Sequence, residues 1–185
     1  DDLANILGHN FRLGEIEAAI AREQLHKLPS LVASRQAAAV RLTAALSKLP
    51  GLIPPAVSSG STHVYYVYGM QLDLQKLGKD RDWIVDALKA EGVTGLFAGY
   101  QNIHLLPIFR NRIAYGLHGF PWKGLVRGES EVVYGHGLCP VAERLHAHSF
   151  FGLNLCAHDF NDSECDAVIR AFQRVWACLP VALES

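Results

Sequence analysis

The sequence predicts an α/β fold: a long amino-terminal helix, then a small antiparallel sheet covered by helices. Three observations carry this. Apolar residues recur at helical spacing from Glu15 to Leu49. Around Val64 to Leu72 the pattern changes to alternation and is rich in β-branched and aromatic residues. Near the end a helical stripe returns, with Val168, Phe172, Val175, Trp176 and Leu179 on one side. The chain has 185 residues, 50% of them apolar. A chain of that size buries roughly 70% of its unfolded surface, enough for one domain without staples.

Each element has its own warrant. Glu15 to Lys27 reads as a helix with apolar residues on two faces: Ile16, Ala19 and Ile20 on one, Ala18, Ala21, Leu25 and Leu28 on the other. Such breadth fits burial on two sides, at an interface or within a domain. Pro29 is expected to kink or restart the helix, because it has no amide hydrogen and its ring crowds the preceding turn. Leu31, Ala38, Leu42, Ala45 and Leu49 continue the spacing until Pro50-Gly51. Pro54-Pro55 and Ser58-Ser59-Gly60-Ser61 form a loop. In the alternating run, Val64, Tyr66, Tyr68 and Met70 share one face. Asp80 is placed to cap a helix reaching Glu91, with Trp83, Ile84, Ala87 and Leu88 inward and Gly92 as the stop. A short strand is expected at Val93 to Phe97, a short helix at Pro140 to His146 and a strand at Phe150 to Leu155. Asn161, with Glu164 three residues on, has the form of a capping box. Residues 108–137 are the least regular part and mix glycine, aromatic and basic residues.

Charge and composition exclude some functions. The formal net charge is −1, and the basic residues are scattered, which argues against a nucleic-acid partner. No apolar run is long enough to span a bilayer and no signal peptide stands at the start, so no membrane role is expected and a cytoplasmic location is. The 4 cysteines form no C-x-x-C pair, which favours reduced thiols.

Several candidate sites follow from residue chemistry. At the elbow before the first helix, His9, Asn10 and Arg12 can present an amide and a guanidinium to an anion, or stand solvated at a helix entry. His146, His148, Cys156 and His158 are a possible zinc set, but their order matches no usual finger or ribbon, and no metal is expected. Leu77-Gly78-Lys79 lacks the earlier glycine of a phosphate loop.

Five motifs in order carry a resemblance. Gly8 to Ala19 is similar to G-x-N-Y-R-x-x-E-x-x-A-A, and Gln24-Leu25 with Lys27-Leu28 to Q-L-x-K-L. His63 to Tyr68 is similar to H-x-Y-Y-x-Y, Tyr100 to Phe109 to Y-x-P-x-H-x-x-P-x-Y, and Cys139 to Leu145 to C-P-x-A-E-x-L. Together they resemble the carboxyl-terminal portion of the DegT/StrS-like sugar aminotransferases, which use pyridoxal phosphate. The resemblance implies the small domain of an aspartate-aminotransferase-like (type I) fold. Residues 1–50 would be the elbow and long interface helices, and 51–185 the small α/β domain. The large cofactor domain, with its Schiff-base lysine, would precede Asp1.

The resemblance also implies roles. The complete enzyme would be a homodimer that moves an amino group from glutamate or glutamine to a nucleotide-linked keto-sugar. Asn10 would donate to the cofactor phosphate of the neighbouring subunit, and Arg12 would hold that phosphate or the donor carboxylate. His104 and Tyr100 would line the sugar side of the cleft, and Arg110 could meet a nucleotide diphosphate on the substrate. Phe11 stands where the family commonly has Tyr, and Asn102 where it has Pro. The six lysines include none in the family's lysine motif, so the chain alone is expected to be inactive. A non-catalytic dimerisation module is the competing reading.

Overall fold

A computed structural model describes residues 13–99, 101–114, 120–122, 132–157 and 159–180. The first helix, α1, runs from Glu15 to Leu46 as one element of 32 residues with Pro29 inside it. It does not restart there, as the sequence led us to expect. Proline removes a single hydrogen bond, leaving the Leu25 carbonyl without its usual donor. That turn is exposed, Leu25 itself being 64% accessible, so water can serve it. The expected burial on two sides is not met within the chain either. Ile16, Ile20, Leu25 and Leu28 all face solvent, and only Ala38, Ala39, Leu42 and Leu46 of α1 enter the core.

The sheet has four strands in the order β1-β2-β4-β3, all antiparallel: β1 Leu52–Ile53, β2 Tyr68–Leu72, β3 Leu96–Ala98 and β4 Phe150–Leu153. Strand β2 starts four residues later than the alternation suggests. Tyr65 adopts φ +50°, and the His63 ring nitrogen Nδ1 accepts its N–H at 2.8 Å. That amide is therefore not available to a ladder. Val64 and Tyr66 stay exposed, while Tyr68, Met70 and Leu72 point inward. Strand β3 is likewise shifted to Leu96, because the chain leaves the preceding helix through Val93, which is buried, and Gly95 at φ +74°. Strand β4 stops at Leu153, two residues short of the expectation.

Short helix α2 (Leu74–Leu77) and helix α3 (Arg81–Ala90) follow β2. The Asp80 side chain accepts from the Trp83 amide at 2.7 Å, so the expected cap is present. Trp83 is not inward: it is 39% exposed, with Lys79 Nζ 5.1 Å from its ring centre. The inward face is Ile84, Val85 and Leu88. After β3 come a 3₁₀ turn at Ile103–Leu105 and helix α4 at Pro107–Arg110. Helix α5 (Pro140–Arg144) is shorter than expected and passes into a π turn, Leu145–Ser149, that leads directly into β4. Helix α6 (Asp162–Ala177) begins with the capping box of Asn161 and Glu164.

One sheet face packs against α1, α3 and α6. Phe172 stacks between Phe151 and Trp176, and all three belong to the same buried cluster as Tyr68, Leu42 and Ile84. Arg41 on α1 grips Asp166 on α6 with both ends of its fork, at 2.8 to 3.0 Å. The opposite face is shaped by glycine. Gly69 pairs with Gly152 across β2 and β4, and the Phe150 and Phe97 rings lie over them, 6.2 Å apart. Among the described residues no helix is long and apolar enough to cross a membrane.

Candidate functional site

Two segments distant in sequence meet beside the sheet. The first comprises the 3₁₀ turn and α4. Its Phe109 packs on Trp122 and Tyr134, which draws residues 120–122 and 132–134 to it. The second is α5 with its π turn. The join is a polar pair: His104 Nε2 lies 2.9 Å from Glu143 Oε1.

Glu143 is held on many sides. Both its oxygens accept the Gly137 N–H at 2.9 Å, and Oε1 also accepts that of Cys139 at 3.2 Å. His136 Nδ1 stands 3.5 Å from Oε2. These bonds push its pKa down from 4.5 to about 2, the Gly137 bond most and the His104 bond next, against an opposing effect of burial. The carboxylate is therefore ionised at neutral pH and can only accept.

A pH test follows. A depressed acid stabilises the fold above its unfolded pKa and stops doing so as pH falls through the folded value. The order Glu143 imposes on residues 136–139 should thus hold above about pH 4.5 and fade towards about pH 2. Amide shifts of Gly137 and Cys139 followed against pH should report a midpoint near 2. A midpoint in the ordinary carboxyl range would mean the clamp is not formed.

A cleft of about 590 Å³ opens between these segments, lined by Asn102 and Leu106 on one side and Glu143, Arg144, His146 and His148 on the other. It adjoins an apolar hollow of about 480 Å³ walled by Tyr66, Val67, Phe97, Leu145 and Phe150. His146 borders both. The π turn that carries it is fixed from behind. Arg81, 8% exposed, donates through Nη1 to the carbonyls of His146 and Phe150. Such π turns recur at functional sites because they re-aim side chains within a helical run.

The sequence candidates divide accordingly. His104 is joined to Glu143, with its side chain 10% exposed. Arg110 ends α4 in solvent and is not part of the cleft wall. Asn10, Arg12 and Tyr100 lie outside the described residues, as does His158. Among the described residues no group of three or more His, Cys, Asp or Glu side chains is placed to hold a metal ion. No described lysine lines the cleft. Glu143 was not foreseen as a site residue. Its one signal was its place in the Cys139–Leu145 motif, but its partner His104 lies 39 residues away.

Residues 2–122 match the model of the DegT/DnrJ/EryC1/StrS aminotransferase family, and the chain belongs to that family. Among individual proteins, it is similar to a dTDP-3-amino-3,4,6-trideoxy-alpha-D-glucose transaminase of Micromonospora megalomicea subsp. nigra. Identity there is 33%, over 87% of this chain and 38% of that protein. The spore coat polysaccharide biosynthesis protein SpsC of Bacillus subtilis (strain 168) is 29% identical, over 62% of this chain and 29% of its own length. The chain thus spans 29% and 38% of the length of these two relatives. In fold it is similar to DesV of S. venezuelae, with a TM-score of 0.67 at 23% identity, covering 91% of this chain and 38% of that one.

Proposed function

We propose that this chain is the carboxyl-terminal small domain of a pyridoxal-phosphate-dependent sugar aminotransferase. The family match over residues 2–122, which includes the elbow, carries the reading. The similarity in fold to part of DesV supports it. The complete enzyme transfers an amino group from glutamate or glutamine to a nucleotide-linked keto-sugar. Pyridoxal phosphate, when bound, supplies the electron sink for that transfer.

The described residues fit the substrate side of such a site and not the imine-forming side. The cleft offers His146, His148 and Arg144 but no described lysine. In this reading the Schiff-base lysine belongs to the rest of the enzyme, because none of the six lysines resembles the family's lysine motif, and this chain alone does not transaminate. Its part is binding and orientation. Asn10 donates to the cofactor phosphate of the neighbouring subunit, and Arg12 grips phosphate or the donor carboxylate. By resemblance His104 and Tyr100 belong to the sugar side, and Arg110 to a nucleotide diphosphate, although neither His104 nor Arg110 is among the residues that wall the cleft. The exposed Ile16, Ile20, Leu25 and Leu28 of α1 are covered by the rest of a homodimer. The same face would serve a non-catalytic dimerisation module, so the test must read the cofactor.

Asn10→Ala in the complete enzyme should weaken cofactor retention roughly ten- to a hundredfold, the worth of one hydrogen bond to a charged group. The dimer should remain intact. Subunit exchange with a complete enzyme lacking the Schiff-base lysine then tests the cross-subunit contact. One site per mixed dimer pairs an intact lysine with an intact Asn10 and should retain cofactor normally. If exchange is verified and no tight site appears, Asn10 does not act across the boundary. Cofactor retention unchanged by Asn10→Ala would mean that Asn10 makes no contact with the cofactor and that the functional reading of the elbow is wrong.

A further inference from the structure

We infer that the apolar hollow is the subsite for the base of a nucleotide-linked substrate, with Asn102 reading the polar edge of that base. The inference deepens the reading of this chain as part of an aminotransferase of nucleotide-linked sugars, and rests on it.

The hollow and the cleft form one trough. Gln101, Asn102 and His146 line both, so they make the saddle between them. On the hollow side the walls are aromatic. Phe97 and Phe150 lie over the paired glycines, and Tyr66 stands at the rim, 74% exposed. That exposure is built in. The neighbouring Tyr65 is only 8% exposed and has φ +50°, a backbone conformation that persists only where its surroundings hold it. Here His63 takes its amide, and the Cys156 thiol donates to its carbonyl at 3.8 Å. Aromatic walls around an open space of about 480 Å³ suit a flat ring, because every base has a π face to stack. Asn102 supplies what the edge of a base needs. It precedes the 3₁₀ turn, where asparagine commonly caps a helix, yet its side chain makes no cap bond. That side chain has no hydrogen-bond partner among the described residues. A carboxamide offers a donor and an acceptor side by side, the pattern that pairs with a base edge. Beyond the saddle, Arg144 lines the cleft, its side chain in no ion pair among the described residues, and suits a diphosphate. Glu143 lines the cleft too, but its charge is already engaged by Gly137, Cys139 and His104. The trough thus offers a place for the base and a place for the anion of one nucleotide.

The test uses the complete enzyme and calorimetry. The probes are the uridine, thymidine, cytidine, adenosine and guanosine 5′-diphosphates, of which the tightest binder is carried forward, and inorganic pyrophosphate. Tyr66→Ala should weaken the nucleoside diphosphate roughly five- to a hundredfold, the worth of one base–aromatic stack. Asn102→Ala should weaken it roughly three- to tenfold, the worth of one neutral hydrogen bond. Pyrophosphate should bind both variants as it binds the wild type. Neither side chain belongs to the buried core, so both variants should fold, and thermal melting checks this. An unchanged nucleoside diphosphate affinity in either variant would overturn the inference while the nucleotide-linked reading stands. The same result with a lowered melting temperature in Tyr66→Ala would overturn it by showing that another part of the enzyme fills the hollow. Equal weakening of pyrophosphate would overturn it as well, because the residues would then act on the anion or on the fold. If the wild-type enzyme binds none of the nucleoside diphosphates, the nucleotide-linked reading itself fails and takes the inference with it.

Discussion

Phe172→Ala is expected to cost about 3–5 kcal/mol of stability, the range found when a buried aromatic ring is truncated. Phe172 is fully buried. Its ring stacks on Phe151 at 6.4 Å with planes 24° apart, and on Trp176 at 5.7 Å with planes 20° apart. Phe151 is fixed by the β4 ladder, and the Trp176 indole donates to the Pro50 carbonyl at 2.9 Å. Neither neighbour can move in to fill the space, so the loss should include most of the cavity term. A chain of this size loses about 2–4 °C of melting temperature per kcal/mol, which puts the drop near 10 °C or beyond. Urea unfolding should show a lower midpoint at an unchanged slope. A change under about 1 kcal/mol would mean that the aromatic stack is not the centre of the core.

Arg81→Met should cost about 2–3 kcal/mol, and its effect should appear mainly at a distance. Methionine keeps the apolar stem but removes the guanidinium. The His146 and Phe150 carbonyls then lose a charged donor in a nearly dry setting. The lost contact with Asp82 matters less, because Asp82 is 71% exposed and rehydrates. The π turn at Leu145–Ser149 should loosen, with faster amide exchange there than in α6. If exchange speeds up equally everywhere, Arg81 supports the whole fold and not the cleft wall in particular.

These two positions also show what a sequence reveals. Phe172 was visible in the stripe of the last helix, because amphipathic spacing is local and repeats. The caps at Asp80 and Asn161 were visible for the same reason, since each side chain reaches an amide three residues on. Arg81 gave no signal in the sequence, because the carbonyls it serves lie 65 and 69 residues away. The His104–Glu143 pair escaped for the same cause. The start of β2 was misplaced because one imidazole takes the Tyr65 amide, a detail that alternation does not encode. At Pro29 the general penalty was known, but the solvent exposure that softens it was not.

The glycine pair of the sheet has a consequence for how this protein can vary. Phe97 and Phe150 wall the apolar hollow while lying over Gly152 and Gly69. Their rings rest on bare backbone. A methyl group at position 152 would collide with Phe97 and come within 2.8 Å of Val67, and one at 69 would come within 3.0 Å of Phe150. The hollow can therefore be reshaped freely from its rim, at Tyr66 or Leu145, but hardly from its floor. Drift at the two glycines would tilt the rings outward and close the space. Ligand preference in descendants of this chain should change at the rim while Gly69 and Gly152 remain as they are.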